Sequence, residues 1–146
     1  MTLILGLNAF HADAAAVLVR DGQVIAAAEE ERFRRIKHWA GFPSEAIAWC
    51  LNDAGLTLAD VDHIAINTLP KANRWRKAFY TLVHRPSPRF LWDRWRNKQE
   101  RAGLALQLAG AFPEQPIKAQ LHFIEHHRAH LASAFYASPF EEAAAI

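Results

Sequence analysis

The chain has 146 residues, 51% of them hydrophobic and 22% charged, which is enough for one soluble domain with a real core. A lone cysteine, Cys50, excludes an internal disulfide and fits a reducing compartment; no run approaches the roughly 18 apolar residues of a membrane span, and Met1–Asn8 lacks the basic start of a signal peptide, so a cytoplasmic protein is expected. The net charge of +2 hides an asymmetry: residues 71–101 hold ten Lys/Arg against Asp93 and Glu100, so the basic charge is a local patch.

Leu3–Leu7 reads as a first strand, so uniformly apolar that burial on both faces is expected. Ala14–Val19 and Val24–Ala28 are two more apolar runs. Asp21-Gly22 between them is the signature of a tight hairpin whose central residues need positive φ. Strands one to three therefore form an antiparallel meander. A helix starts at Gly41-Phe42-Pro43-Ser44, shows Ile47, Cys50, Leu51 and Ala54 at helical spacing, and stops at Gly55. After the short connection Leu58-Ala59-Asp60, Val61–Asn67 reads as a strand. Residues 71–110 read as mainly helical, broken at Pro86-Ser87-Pro88. Leu121–Glu125 is a further strand and His127–Ala137 an alanine-rich helix. Ala143–Ile146 reads as the onset of another strand, so the chain is expected to be the N-terminal part of a larger domain. There is no internal repeat and no low-complexity linker.

The order β-β-β-α-β-(helical segment)-β-α predicts an α/β fold: a mixed sheet led by a three-strand meander, of the ribonuclease-H-like type. Two such halves make the actin-like ATPase architecture, and this chain would be one half. Residues 70–110 would be a basic aromatic helical insertion within it.

Four segments carry candidate chemistry. In Glu125-His126-His127-Arg128-Ala129-His130, His126 and His130 are four apart, which puts both imidazoles on one helix face, close enough to share a metal. Imidazole suits zinc or iron; the plainer reading is two solvated histidines, and a metal site needs at least one more ligand. His127 points elsewhere and reads as packed or hydrogen-bonded. Asn8-Ala9-Phe10-His11-Ala12-Asp13 follows the first strand, where a turn would aim His11 and Asp13 into a cleft and let them position or deprotonate a hydroxyl. The plainer reading is a polar turn in which Asp13 caps the backbone. Glu29–His38 is a dense mixed charge run that suits an anion at a cleft edge or a solvated loop. Arg74–Tyr80 and Arg89–Arg96 interleave basic and aromatic residues. They suit nucleic acid, an anionic membrane surface or an acidic partner, or amphipathic helices packed with their basic stems along the edges; packing is the preferred reading. No glycine-rich phosphate loop of the Walker or Rossmann type is present.

Three of these segments together resemble one family. Leu5–Ala16, Glu30–His38 with Gly41-Phe42-Pro43, and His126–Tyr136 resemble, in order and spacing, three signatures of the O-carbamoyltransferases of the nodulation and antibiotic-biosynthesis type. The resemblance covers most of residues 3–67 and 119–146 and leaves 71–110 outside the signature. It implies a domain similar to the tRNA threonylcarbamoyl transferase, with an actin-like fold. The implied activity is transfer of a carbamoyl group from carbamoyl phosphate, through an ATP-derived carbamoyl-adenylate, to a hydroxyl of a small-molecule or glycan acceptor. By motif, His126 and His130 match the metal ligands (iron or zinc, with magnesium as a further candidate). The third ligand is implied to be an aspartate beyond Ile146. His11 is implied to serve the acceptor hydroxyl, Lys37 to stabilise negative charge on carbamoyl or phosphate oxygens, and Asp13 to orient the pocket. Arg32 and Arg35 are the expected contacts to an anionic substrate. The partners implied are carbamoyl phosphate, ATP and the acceptor; no nucleic acid is expected, and residues 71–101 are the candidate for a peripheral membrane or protein contact. A chain without the nucleotide-binding half is expected to be inactive alone. Two alternatives stand beside this reading: a tRNA threonylcarbamoyl transferase-like protein, against which His11-Ala12-Asp13 and Glu30-Glu31-Arg32-Phe33 argue, and a non-catalytic module that binds through its basic aromatic segment.

Overall fold

A computed structural model describes residues 1–68 and 103–144. The basic aromatic segments at 74–80 and 89–96, the break at Pro86–Pro88, and the end of the expected strand onset at Ala143–Ile146 lie outside the described residues.

Strand β1 (Leu3–Asn8) pairs antiparallel with β2 (Ala15–Arg20), and β2 pairs antiparallel with β3 (Gln23–Glu29). Asp21 and Gly22 make the turn between β2 and β3 with φ of 48° and 83°, the left-handed pair that such a hairpin demands. The turn is tied down: Asp21 Oδ1 accepts from the Thr2 amide at 2.7 Å. β4 (His63–Ile66) then pairs parallel with the other side of β1, and β5 (Gln120–Phe123) pairs parallel with β4. The five-stranded mixed sheet has the order β3-β2-β1-β4-β5.

The alternation along β1 decides the layers. Leu3, Leu5 and Leu7 point to a closed face with Leu18, Ala26, Ile64 and Ile66. Helix α2 (Ser44–Asp53) covers that face with Ala46, Ile47, Cys50 and Leu51, and helix α3 (Leu104–Ala111) adds Leu104 and Leu108. Each such leucine removed from water contributes about 1.5–3 kcal/mol. Cys50 belongs to this core; burial pushes its thiol pKa up, so it is an unreactive packing residue.

The opposite face differs from the sequence expectation. Ile4, Gly6 and Asn8 alternate with the buried leucines and are only half-covered. Their neighbours across the sheet are small, as the register Gly6↔Val17 and Gly6↔Ala65 shows. An apolar run cannot distinguish a strand covered on both faces from one covered on one. Among the described residues no helix is long and apolar enough to cross a membrane.

The N-terminus of α2 has an unusual support. Its cap position is Pro43, which has no side-chain acceptor for the first amides. Glu30, fully buried, supplies one from a distant point in the chain. Its carboxylate accepts from the Glu45 amide at 3.3 Å and the Ala46 amide at 2.8 Å. Arg34 Nε closes the other side at 2.6 Å, reaches Ser44 Oγ at 3.0 Å, and stacks on Trp39 with its guanidinium 4.7 Å from the ring centre. These contacts order Glu31–Arg34 into a single-turn helix, α1, where the charge run had read as a loop or cleft edge.

Candidate active site at the strand ends

β1, β4 and β5 are mutually parallel, so their carboxyl ends lie on one edge of the sheet, where open α/β sheets place their sites. Asn8 closes β1. Its Nδ2 donates to the carbonyls of Ala12 (3.2 Å) and Asp13 (2.7 Å), curling the following loop. Asn67, just past β4, donates through its own Nδ2 to Asn8 Oδ1 at 2.8 Å. The chain of donors fixes both amides, because carbonyls accept only. The loop is strained: Phe10 and Asp13 have φ of 63° and 61°.

That curl sets His11 against two partners. Its Nε2 is 3.2 Å from the hydroxyl of buried Thr68, and its ring lies 5.1 Å from that of His126. The first and third signature segments, far apart in sequence, therefore meet.

β5 leads into helix α4 (His126–Tyr136), capped by Glu125, whose Oε2 accepts from the Arg128 amide at 2.9 Å. The His127 imidazole, 2.7 Å from Glu125 Oε1, and that amide together hold the Glu125 carboxyl down at about 2. His127 is thus hydrogen-bonded as expected, though exposed. His126 and His130 face each other across one turn with Nε2 atoms 3.1 Å apart. As neutral rings, one donates to the other. The same spacing suits two ligands of one metal: bonds of about 2.1 Å at 90–110° put the nitrogens roughly 3.0–3.4 Å apart. Among the described residues no third His, Cys, Asp or Glu joins them in a metal-holding group. His126 Nδ1 is buried with no hydrogen-bond partner, so the acceptor that usually orients a metal-bound imidazole is not among the described residues.

On the half-covered sheet face lies an open, mainly apolar depression of about 970 Å³. His126, Ala129, His130 and Ser133, one face of α4, line it together with Asn67 and Arg32. Arg32 also pairs with Glu29 at 3.3 Å, an exposed contact. Arg35 and Lys37 sit on the exposed turn after α1, outside the lining of the depression. Asp13 reaches instead to His38: its Oδ1 is 2.8 Å from His38 Nδ1. The hydrogen bond to Asp13, then the Asp13 charge, with a smaller push from Glu31, raises the His38 pKa from 6.5.

Of the residues singled out from sequence, the structure brings His11, His126 and His130 together and places Arg32 at the same depression. Asp13 holds His38. Arg35 and Lys37 stand apart. Asn67 and Thr68 had not been singled out, and Glu30 and His38 only as members of the Glu29–His38 run. The only signal for the first two was a polar pair directly after a strand, the same pattern as Asn8 after β1.

A family model described as Carbamoyltransferase N-terminus matches residues 3–146. An uncharacterized protein of Synechocystis sp. is 40% identical over all of this chain and 25% of its own length. Nodulation protein NolNO of Sinorhizobium fredii is 37% identical over 92% of this chain and 19% of its own. An uncharacterized 19.2 kDa protein of Rhizobium etli is 55% identical over 40% of this chain and 34% of its own length. The chain thus spans about a quarter of the first of these relatives and about a fifth of the second.

Proposed function

This chain belongs to the family of carbamoyltransferase N-termini, and we propose that it forms part of an ATP-dependent O-carbamoyltransferase that moves a carbamoyl group from carbamoyl phosphate to a hydroxyl. The carbamoyl group travels as an adenylate, and the acceptor is a small molecule or glycan. The observation that carries this reading is the meeting of His11 with the His126/His130 pair at the strand ends. The meander followed by parallel β4 and β5 supports assignment to one ribonuclease-H-like half of an actin-like enzyme. A cytoplasmic location follows from the supply of ATP and carbamoyl phosphate.

His126 and His130 would hold a divalent metal, iron or zinc, through Nε2, with an aspartate outside the described residues as third ligand. When bound, it would supply positive charge beside phosphate and carbonyl oxygens. His11, with Nε2 on Thr68 and its ring on His126, suits a hydrogen-bond partner of the carbamoyl or acceptor oxygen. Asn8 and Asn67 hold the loop that carries it. Arg32, at the depression, would take a phosphate; Lys37 and Arg35, on the exposed turn after α1, would reach it only from the rim.

The test supplies ATP, carbamoyl phosphate and a panel of hydroxyl acceptors to the whole protein that carries this chain. Pyrophosphate release dependent on carbamoyl phosphate is the expected result. Its absence under every condition sinks the reading.

A further inference from the structure

Among the described residues two polar or charged side chains are buried, Glu30 and Thr68. Glu30 is accounted for by the amides of α2 and by Arg34. Thr68 is accounted for only by His11: among the described residues its hydroxyl has one hydrogen-bond partner, His11 Nε2 at 3.2 Å. The fold builds this contact. β1 and β4 are parallel neighbours, the Asn67 amide donates to the Leu7 carbonyl at 3.3 Å, and Asn67 Nδ2 donates to Asn8 Oδ1 at 2.8 Å. The two strand ends are thus locked side by side. Thr68 lies just past one and the loop that carries His11 just past the other. That loop is held in turn by Asn8 Nδ2 on the Ala12 and Asp13 carbonyls, and by the Phe10 amide on the Gly41 carbonyl at 3.2 Å.

The direction of the bond follows from burial. Thr68 is only 7% exposed, and a hydroxyl shielded from water must place its proton on an acceptor. Among the described residues that acceptor is His11 Nε2, so Thr68 donates and Nε2 uses its lone pair. The neutral ring then carries its own proton on Nδ1. The partner of one ring nitrogen thereby decides what the other can do. Threonine is suited to the task, because a β-branched side chain is stiff at χ1 and its hydroxyl stays aimed.

We infer that Thr68 is the positioning residue of His11, and that His11 meets the carbamoyl oxygen as an Nδ1–H donor and not as a base. The assignment rests on the carbamoyl-transfer reading above. Its place in the site is set by His126, whose ring is 5.1 Å from that of His11. In the transfer step the acceptor's hydroxyl oxygen bonds to the carbamoyl carbon. One electron pair of the carbamoyl C=O bond moves onto its oxygen, where the His11 N–H stabilises it. A donor held in advance where charge develops lowers the barrier. The pair then returns as the bond from that carbon to the phosphate oxygen breaks. The phosphate leaves with the electrons of that bond, and the hydroxyl proton passes to water. No oxidant or further reactant is consumed.

The test compares the whole protein that carries this chain with its Thr68→Val and Thr68→Ser variants. Nitrogen NMR of histidine-labelled protein reads the tautomer, with the His11 signals assigned by their loss in His11→Asn. The neutral His11 ring is expected to be protonated on Nδ1 in the unsubstituted protein and in Thr68→Ser, and to become a mixture of tautomers in Thr68→Val. Carbamoyl transfer to a hydroxyl acceptor reads the consequence. Thr68→Val keeps the shape and loses the hydroxyl, and should transfer about 10- to 100-fold more slowly, in kcat and not in KM, the range for removing a group that orients a working side chain. Thr68→Ser should restore most of that rate. Protonation of His11 on Nε2 in the unsubstituted protein overturns the assignment. So does full transfer by Thr68→Val, or a Thr68→Ser variant as slow as Thr68→Val. If Thr68→Val fails to fold, the tautomer in the unsubstituted protein and the rate of Thr68→Ser decide the same question. Absence of pyrophosphate release from the unsubstituted protein removes the carbamoyl-transfer reading and the step with it, whereas the tautomer is read without any reaction.

Discussion

Replacing Glu30 by alanine removes an anion that serves two elements at once. The Ala46 amide, buried at the third position of α2, loses its acceptor, and a buried unsatisfied amide costs about 1–3 kcal/mol. The Glu45 amide makes a longer, only part-buried bond and re-solvates more cheaply. Arg34 loses its 2.6 Å partner, but its side chain is 34% exposed, so it turns toward water and the cost falls below the roughly 3–5 kcal/mol of a fully buried broken pair. The sum is about 3 kcal/mol. For a domain of this size that corresponds to a fall in Tm of roughly 10 °C. It also corresponds to roughly 100-fold faster hydrogen exchange at the Ala46 amide if α2 frays from its N-terminus. Glu30→Gln keeps one acceptor and should show about half the effect. Mass-spectrometric or NMR exchange of the purified protein reads both. Unchanged exchange at Glu45 and Ala46, with an unchanged melt, would refute the view that Glu30 caps α2.

Gly6→Ala is expected to destabilise by about 1–2 kcal/mol, because the new methyl would sit 2.8 Å from Val17 Cγ1; the Val17→Ala background should recover most of that loss in a urea titration. Leu5→Ala, at a fully buried site between Leu18 and Ile64, should cost about 2–5 kcal/mol by the same measurement. The His38–Asp13 contact has a definite sign with pH. Because the folded pKa is raised above 6.5, the contact is at full strength below that value and is lost as pH rises through the raised one. Titration of the His38 ring protons should therefore give a value above 6.5 that drops on Asp13→Asn, and an unmoved value would contradict the pairing.

Local signals were legible where one residue decides one conformation. Asp21-Gly22 announced its hairpin because both positions need positive φ, and both have it. Gly55 announced the end of α2 and has φ 64° for the same reason. The i, i+4 spacing announced that His126 and His130 share a face, since helical periodicity is indifferent to what packs on it. What stayed hidden depended on partners distant in sequence. Glu30 sits among Glu29, Glu31 and Arg32 and looks like them, yet only Glu30 faces the amides of α2. Asn67 matters because β4 lies beside β1, a pairing no local pattern encodes. Asp13 reads as a turn residue or as a partner of His11 in a cleft, and its contact with His38 exists because two loops are held together by the Phe10 and Ala14 amides. The half-covered face of β1 was missed because glycine and small apolar residues look the same in a buried strand as along an open depression.

The most direct test follows isotope-labelled carbamoyl phosphate into a hydroxyl acceptor, comparing the whole protein with its His126→Ala and His130→Ala variants. Both side chains line the depression and neither is fully buried, so the variants should fold and melt as the unsubstituted protein does. The account predicts ATP-dependent labelling of the acceptor by the unsubstituted protein, with bound divalent metal, and loss of both label and metal in each variant. Full transfer by variants that no longer hold the metal would contradict it.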